Sequence, residues 1–217
     1  MSKYTYIIDA GHSGINPKTG EYITAPNKMH QFDDGFTICE GVVNRKICDK
    51  IIKGLPKDIE YNYITSGYRD IPLSQRIQMI ERIGKECNDK VIVISVHCNW
   101  WEDSNIHGIQ SHCYGNNGYV SKEGKEIGNL FIKQAENLIN NYNKYKLNIR
   151  RDSPNNSTKP RNFYMLREHK YPAILTENGF MSNRSDAEFL ESEGGQKFIA
   201  DIHIETIKSI ENNEITI

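Results

Sequence analysis

Between Val91 and Val96 the chain reads Val-Ile-Val-Ile-Ser-Val, a short and almost unbroken apolar run. Successive side chains of a strand point to opposite faces, so a strand that is apolar on both sides cannot lie on a surface. It has to be an interior strand, and strands of that kind belong to largely parallel sheets with helices packed on both faces. His97 follows this run directly.

Other periodicities fit the same frame. Tyr4 to Asp9 alternates and predicts a first strand ending at Ala10-Gly11, with His12 just beyond its carboxyl end. From Glu40, the apolar positions Val43, Ile47, Ile51 and Leu55 recur every fourth residue and predict a helix closed by Gly54-Leu55-Pro56. Ile59 to Thr65 reads as a second strand, and Leu73, Ile77, Ile80, Ile83 and Cys87 as a second helix. Ile109 to Tyr114 is a further strand candidate, followed by a long helix from near Ser121 that carries Ile127, Leu130, Phe131 and Leu138. Short strands are expected at Phe163 to Arg167 and at Ala173 to Thr176, the latter running into Glu177. Ser185 and Glu188 have capping-box spacing, and a last helix carrying Phe198, Ile202, Ile207 and Ile210 is expected after Gly194-Gly195. Ser13 to Ile38 and Tyr145 to Asn162 show turn residues and no sustained period, so both read as loops. The expected fold class is α/β, a single layered domain with a largely parallel twisted sheet flanked by helices on both faces. It fills residues 1–217 without a linker or repeat.

Composition excludes several partners. A formal net charge of -1 provides no surplus of Lys and Arg to gather phosphates, so no nucleic acid is expected. No apolar run is long enough to cross a bilayer, and no membrane insertion is expected. The five cysteines include no Cys-x-x-Cys pair and read as small reduced thiols. The first residues enter a strand at once and lack the regions of a secretory signal peptide.

His12, Glu40 and His97 fall at strand ends or a helix start, where open α/β sheets gather their sites. Two imidazoles and one carboxylate are a common catalytic zinc set. Composition alone does not select these three from seven histidines.

The local sequences are more specific. Ile8-Asp9-Ala10-Gly11-His12, Glu40-Gly41-Val42-Val43-Asn44, Ser95-Val96-His97-Cys98-Asn99 and Glu177-Asn178-Gly179-Phe180-Met181-Ser182-Asn183 occur in that order. Together they resemble the four signatures of the zinc-dependent N-acetylmuramoyl-L-alanine amidases of the type 3 family, including phage endolysins. The resemblance extends from Tyr4 to about Ile210. Departures are Ser13 in place of a frequent second glycine, Cys98 in place of alanine, and the bulky pair Trp100-Trp101.

The resemblance implies that His12, Glu40 and His97 hold Zn²⁺ and that Glu177 is the catalytic carboxylate, while Asn44, Asn99 and Asn183 match motif positions. It implies hydrolysis of the amide between the N-acetylmuramic acid lactyl group and L-alanine of peptidoglycan, by a cell-wall lytic enzyme. Zinc would activate water and polarise the amide carbonyl, while Glu177 would move the proton from that water to the departing nitrogen. A monomer without a separate wall-binding domain is expected, cytoplasmic until released to the cell wall or periplasm. Alternatives are a non-catalytic peptidoglycan-binding protein on the same scaffold and a zinc peptidase of different bond specificity. Glu177 could instead pair with an arginine such as Arg151. His30, His107, His112, His169 and His203 read as surface or structural, with His112 singled out because the strand candidate that carries it closely follows His97. Of two adjacent tryptophans on an extended chain at least one should be exposed, as a platform for sugar or peptide. The Ser13 to Ile38 loop is expected to form a lid or a substrate wall.

Overall fold

The structure is a computed structural model that describes residues 2–25, 27–142, 147–153, 157–215 and 217. In chain order the elements are β1 (Thr5–Ala10), β2 (Met29–Gln31), β3 (Thr37–Cys39), α1 (Glu40–Gly54), β4 (Glu60–Tyr63), α2 (Leu73–Glu86), β5 (Val91–Asn99) and β6 (Ile109–Asn116). There follow β7 (Tyr119–Val120), α3 (Lys122–Tyr142), β8 (Thr158–Arg161), α4 (Tyr164–Arg167), β9 (Ala173–Phe180), α5 (Arg184–Glu191) and α6 (Glu193–Glu211).

The apolar run lies where its pattern requires, in the middle of the main sheet. Strands β4, β1, β5 and β9 lie side by side in that order and all run parallel. Beyond them β6 runs against β9 and carries β8, parallel to it, along its other side. Ile92, Ile94, Val96 and Cys98 join Tyr6, Ile8 and Ala10 on one face, in a core shared with α1, α3 and α6. Val91 and Val93 join Ile7, Ala173 and Leu175 on the other, under α2 and α4. Truncating one of these interior isoleucines to alanine is expected to cost about 2–5 kcal/mol.

The two faces are covered unequally, and this positions the site. On the α2 side, helix α4 is four residues long. His97 pairs with Glu177, Gln110 pairs with Glu177, and His112 pairs with Lys159 across neighbouring strands. Paired residues share a face, so these polar side chains continue the α2 face beyond the part the helices cover. Lower on that face, Arg76 of α2 donates to Asp9 Oδ1 at 2.9 Å, and Ser95 Oγ donates to Asp9 Oδ2 at 2.7 Å. This buried group ties β1, β5 and α2 together directly below the ends that carry His12 and His97.

Five sequence expectations need correction. Phe163 is extended, but Tyr164–Arg167 is one helical turn rather than a strand; so short a segment has no period that separates the two states. The expected loop from Tyr145 to Asn162, of which 145–146 and 154–156 lie outside the described residues, contains the strand β8. Its Pro160 masks the strand pattern and is tolerated because β8 pairs on one side only. Helix α5 is capped by Asn183, which accepts from Asp186 N at 3.0 Å, so Ser185 and Glu188 lie inside the helix. Helix α6 starts at Glu193 under a Ser192 cap and contains Gly194-Gly195; a Cβ at 195 would stand 1.9 Å from Phe189 O. The Ser13 to Ile38 stretch is also less irregular than expected, since β2 and β3 form a small antiparallel hairpin within it.

Candidate metal centre

Three local constraints bring the candidate ligands together. After β1 the backbone turns left-handed at His12 (φ 64°), which swings its ring across the end of the sheet. Gly11 has no side chain where the His97 ring passes; a Cβ there would lie 2.2 Å from His97 Cε1. Glu40 is the first residue of α1, and a Cβ on its neighbour Gly41 would lie 1.9 Å from Ser13 O. The start of the helix is therefore pressed against the loop that carries His12. Asn44 donates to Gly11 O at 3.3 Å and accepts from Cys98 Sγ at 3.3 Å, bracing the same junction from below.

One donor atom from each of His12, Glu40 and His97 lies within 4.8 Å of the others. Glu40 Oε1 is 3.0 Å from His97 Nδ1, and Oε2 is 3.3 Å from His12 Nε2. The second approach is not aligned as a hydrogen bond: His12 Nε2 and Glu40 Oε2 are both buried without a hydrogen-bond partner. Buried polar atoms left without hydrogen bonds are costly, and an electrophile between them relieves that cost. The donor set, two imidazole nitrogens and a carboxylate with one side left open, fits a catalytic zinc.

The electrostatics are those of a tightly knit pair of acids among imidazoles. Burial alone would raise the Glu40 carboxyl, yet the two imidazoles outweigh it and hold Glu40 below the usual carboxylate range. For His97 burial is overcome by Glu40 and its pKa is raised; for His12 burial prevails and it is lowered. Glu177, half-buried at the end of β9, is pushed up to about 8, mainly by burial and further by the charge of Glu40, against the pull of His97. Its Oε2 also lacks a hydrogen-bond partner.

The profile of the N-acetylmuramoyl-L-alanine amidases known as Amidase_3 matches residues 7–209. The chain belongs to this family. A 45-residue stretch is 51% identical to the N-acetylmuramoyl-L-alanine amidase CwlM of Bacillus licheniformis, covering 21% of this chain and 18% of that protein. The chain spans about a fifth of the length of the curated relatives it matches. Among solved structures, an N-acetylmuramoyl-L-alanine amidase from Clostridium difficile 630 superimposes with a TM-score of 0.73 at 20% identity, covering 99% of this chain and 100% of that one. Ami1 from Mycobacterium smegmatis superimposes with a TM-score of 0.75 at 15% identity, covering 98% and 99%. The α/β domain with a largely parallel sheet expected from the periodicities is thus the fold of these amidases.

In this member of the amidase family, two cavities meet at Glu177. One, about 430 Å³, contains His12, Glu40 and His97 together with Lys28, Trp100, Tyr164 and Met165. The other, about 440 Å³, lies toward β6 and β8 and contains Trp101, Gln110, His112, Arg150, Lys159 and Arg161. Trp100 and Trp101 are 44% and 55% exposed, and each lines a different cavity. The expected divergence of the pair holds, and both tryptophans are exposed.

Other candidates are placed as follows. Cys98 points into the opposite core from His97. All five cysteines are free, three of them buried. Arg151 pairs with Glu136 rather than with Glu177. His203 is buried between Thr176 Oγ1 and Ile199 O, and His169 contacts Met165 O. His112 is buried against Lys159 O and Phe163, on the wall of the second cavity. Asn99 accepts from Trp100 N, and Asn183 caps α5.

Sequence reasoning missed several residues that line or brace the site. Lys28, 3.7 Å from Glu40 Oε2, and Tyr22, whose hydroxyl accepts from Gly41 N and donates to Lys28 O, come from a stretch without periodicity. Asn178 donates to His97 O at 3.0 Å and lies inside a quoted motif, which was the available signal. Arg150, Lys159 and Arg161 had none beyond their charge. The Ser13 to Ile38 stretch supplies Lys28 to the wall of the metal cavity, in keeping with a substrate wall.

Proposed function

We propose that this protein hydrolyses the amide bond between the N-acetylmuramic acid lactyl group and L-alanine in peptidoglycan, with His12, Glu40 and His97 holding Zn²⁺ and Glu177 as the catalytic carboxylate. The observation that carries the reading is the convergence of three metal-competent donors beside an unpartnered carboxylate at the junction of two solvent-open cavities. Bound zinc supplies Lewis acidity, which activates water and polarises an otherwise unreactive carbonyl.

The chain's own residues supply the rest. Glu177 accepts a proton from the attacking water and delivers it to the departing nitrogen, so that the amine leaves neutral. A carboxyl whose pKa is raised toward neutrality is suited to both halves of that transfer. Gly11 and Asn44 keep the His97 and His12 segments in place.

The proposed domain is the catalytic amidase unit, residues 1–217, acting as a monomer on the wall after release from the cytoplasm, in a lytic role. Among the described residues no helix is long and apolar enough to cross a membrane. The test is product identification on purified sacculi. Lactyl carboxylates on the glycan and new alanine amino ends on the peptide are expected, abolished by a chelator, restored by zinc and absent with Glu177→Gln. Cleavage at another bond would assign a different peptidase specificity, and wall binding without products would assign a binding protein.

A further inference from the structure

Although His112 lines the second cavity, the clustered donor set of the first is not repeated there among the described residues, and its chemistry is the reverse. Arg150 and Lys159 are half-buried, Arg161 is exposed, and all three line a space of about 440 Å³ with Glu177 at its border. Among the described residues none of the three forms a salt bridge with a carboxylate. Arg150 stacks its guanidinium over the Phe180 ring at 5.3 Å, and its buried Nε has no hydrogen-bond partner. Lys159 Nζ donates to Gln110 Oε1 at 3.2 Å, and Arg161 Nη1 to its neighbour's carbonyl, Pro160 O. Nearby acids act on the group only through space: Asp186 Oδ2 accepts from Gly108 N and Phe180 N while feeling the charge of Arg150, and Asp152 acts electrostatically on Lys159.

Crowding three cations into one cavity is unfavourable. Burial, Arg150 and Arg161 together lower the pKa of Lys159. An arrangement that disfavours its own charges is stabilised when an anion enters, and a guanidinium braced on an aromatic ring presents a fork suited to a carboxylate.

The chemistry of the proposed substrate limits where that carboxylate comes from. Acetylated wall sugars are neutral, and the lactyl carboxyl is consumed in the scissile amide. Free carboxylates therefore lie on the peptide arm. Where the second stem residue is an acid joined through its side chain, its main-chain carboxylate is left free about two residue lengths, or roughly 7 Å, from the departing nitrogen. We infer that Arg150 and Lys159, assisted by Arg161, form a specificity subsite for this free carboxylate, so that the peptide arm lies over β6 and β8 and the enzyme discriminates against stems in which that group is amidated. This inference rests on the proposed amidase function.

The experiment compares two soluble muramyl peptides that differ only in a free or amidated main-chain carboxyl at the second stem residue. Wild type is expected to show kcat/KM about tenfold or more in favour of the free acid, the size of a charge-assisted contact. Arg150→Gln and Lys159→Gln should remove most of that preference through KM while leaving the amidated substrate within about twofold, Arg161→Gln should act more weakly, and Lys159→Arg should retain it. Equal wild-type rates on both substrates, or variants that slow both alike, would overturn the subsite. Calorimetric titration with the free acidic dipeptide and its amide separates this from the activity itself. If neither muramyl peptide is cleaved, the proposed function fails, yet tighter binding of the acid that is lost in Arg150→Gln still supports the subsite, and equal binding of both refutes it.

Discussion

The two cavities that meet at Glu177 are built by opposite means. In the candidate metal cavity the side chains offer lone pairs, and each is held by a backbone constraint: the left-handed turn at His12, the missing Cβ at Gly11 and the close packing of Gly41. In the basic cavity the side chains offer protons, and their positions depend on long, adaptable stems from 150–161, braced by a ring and an amide. Bond breaking depends on position to within fractions of an ångström, whereas recognising a charge tolerates movement. The difference teaches that one end is constrained by geometry and the other by charge.

The strongest way to break this comparison is at the shared border. Glu177→Gln is expected to lower kcat by about 10²–10⁴-fold while zinc content, measured by atomic absorption, and affinity for the acidic dipeptide stay unchanged. A loss of metal or of peptide binding would show that the two ends are not separable.

Acid should act next. His203, packed behind β9, and His112, in the basic cavity, are both held down to about 4, mainly by burial. An unfolded chain takes up these protons near pH 6.5, before the folded one does, so their stabilisation is intact above about 6.5 and is lost as pH falls through about 4. For fully buried His203 the loss is on the order of 2–3 kcal/mol. Urea midpoints across this range should fall for the wild type and flatten in His203→Gln.

A smaller effect is expected from adding one methyl group to the metal end. Gly11→Ala forces the His97 ring to move and should weaken zinc binding about 10–100-fold in chelator competition, without changing discrimination between acidic and amidated peptides. The smallest effects concern the tryptophans. Trp100→Ala and Trp101→Ala should each raise KM on wall fragments by about threefold to tenfold, and Trp101→Ala should do so more for substrates with a longer peptide arm. No change in KM for either would remove the platform reading.

How much of this was legible in the sequence differs between the two ends in the same way. The Val91 to Val96 run and the four motifs located β5, the fold class and His12, Glu40, His97 and Glu177, because strict local geometry leaves a pattern in adjacent residues. Strand β8 was hidden, since Pro160 and two flanking cations read as a loop until β6 is present to pair with them. Helix α4 was too short to show a period. Cations at 150, 159 and 161 become a group only through the pairing of β8 with β6 and the return of 149 to Ile109. Asn183 displaced Ser185 as the cap because asparagine and serine serve that position about equally well.

Because α4 ends after a single turn, the polar floor of the sheet is left as a trench bordered by Trp100, Trp101 and Phe163 rather than closed into a tunnel. A trench of this kind needs no free terminus to thread. On the proposed amidase function, a cross-linked mesh is engaged anywhere along a strand, so the order of cuts is governed by where the arms protrude and not by where the chains end.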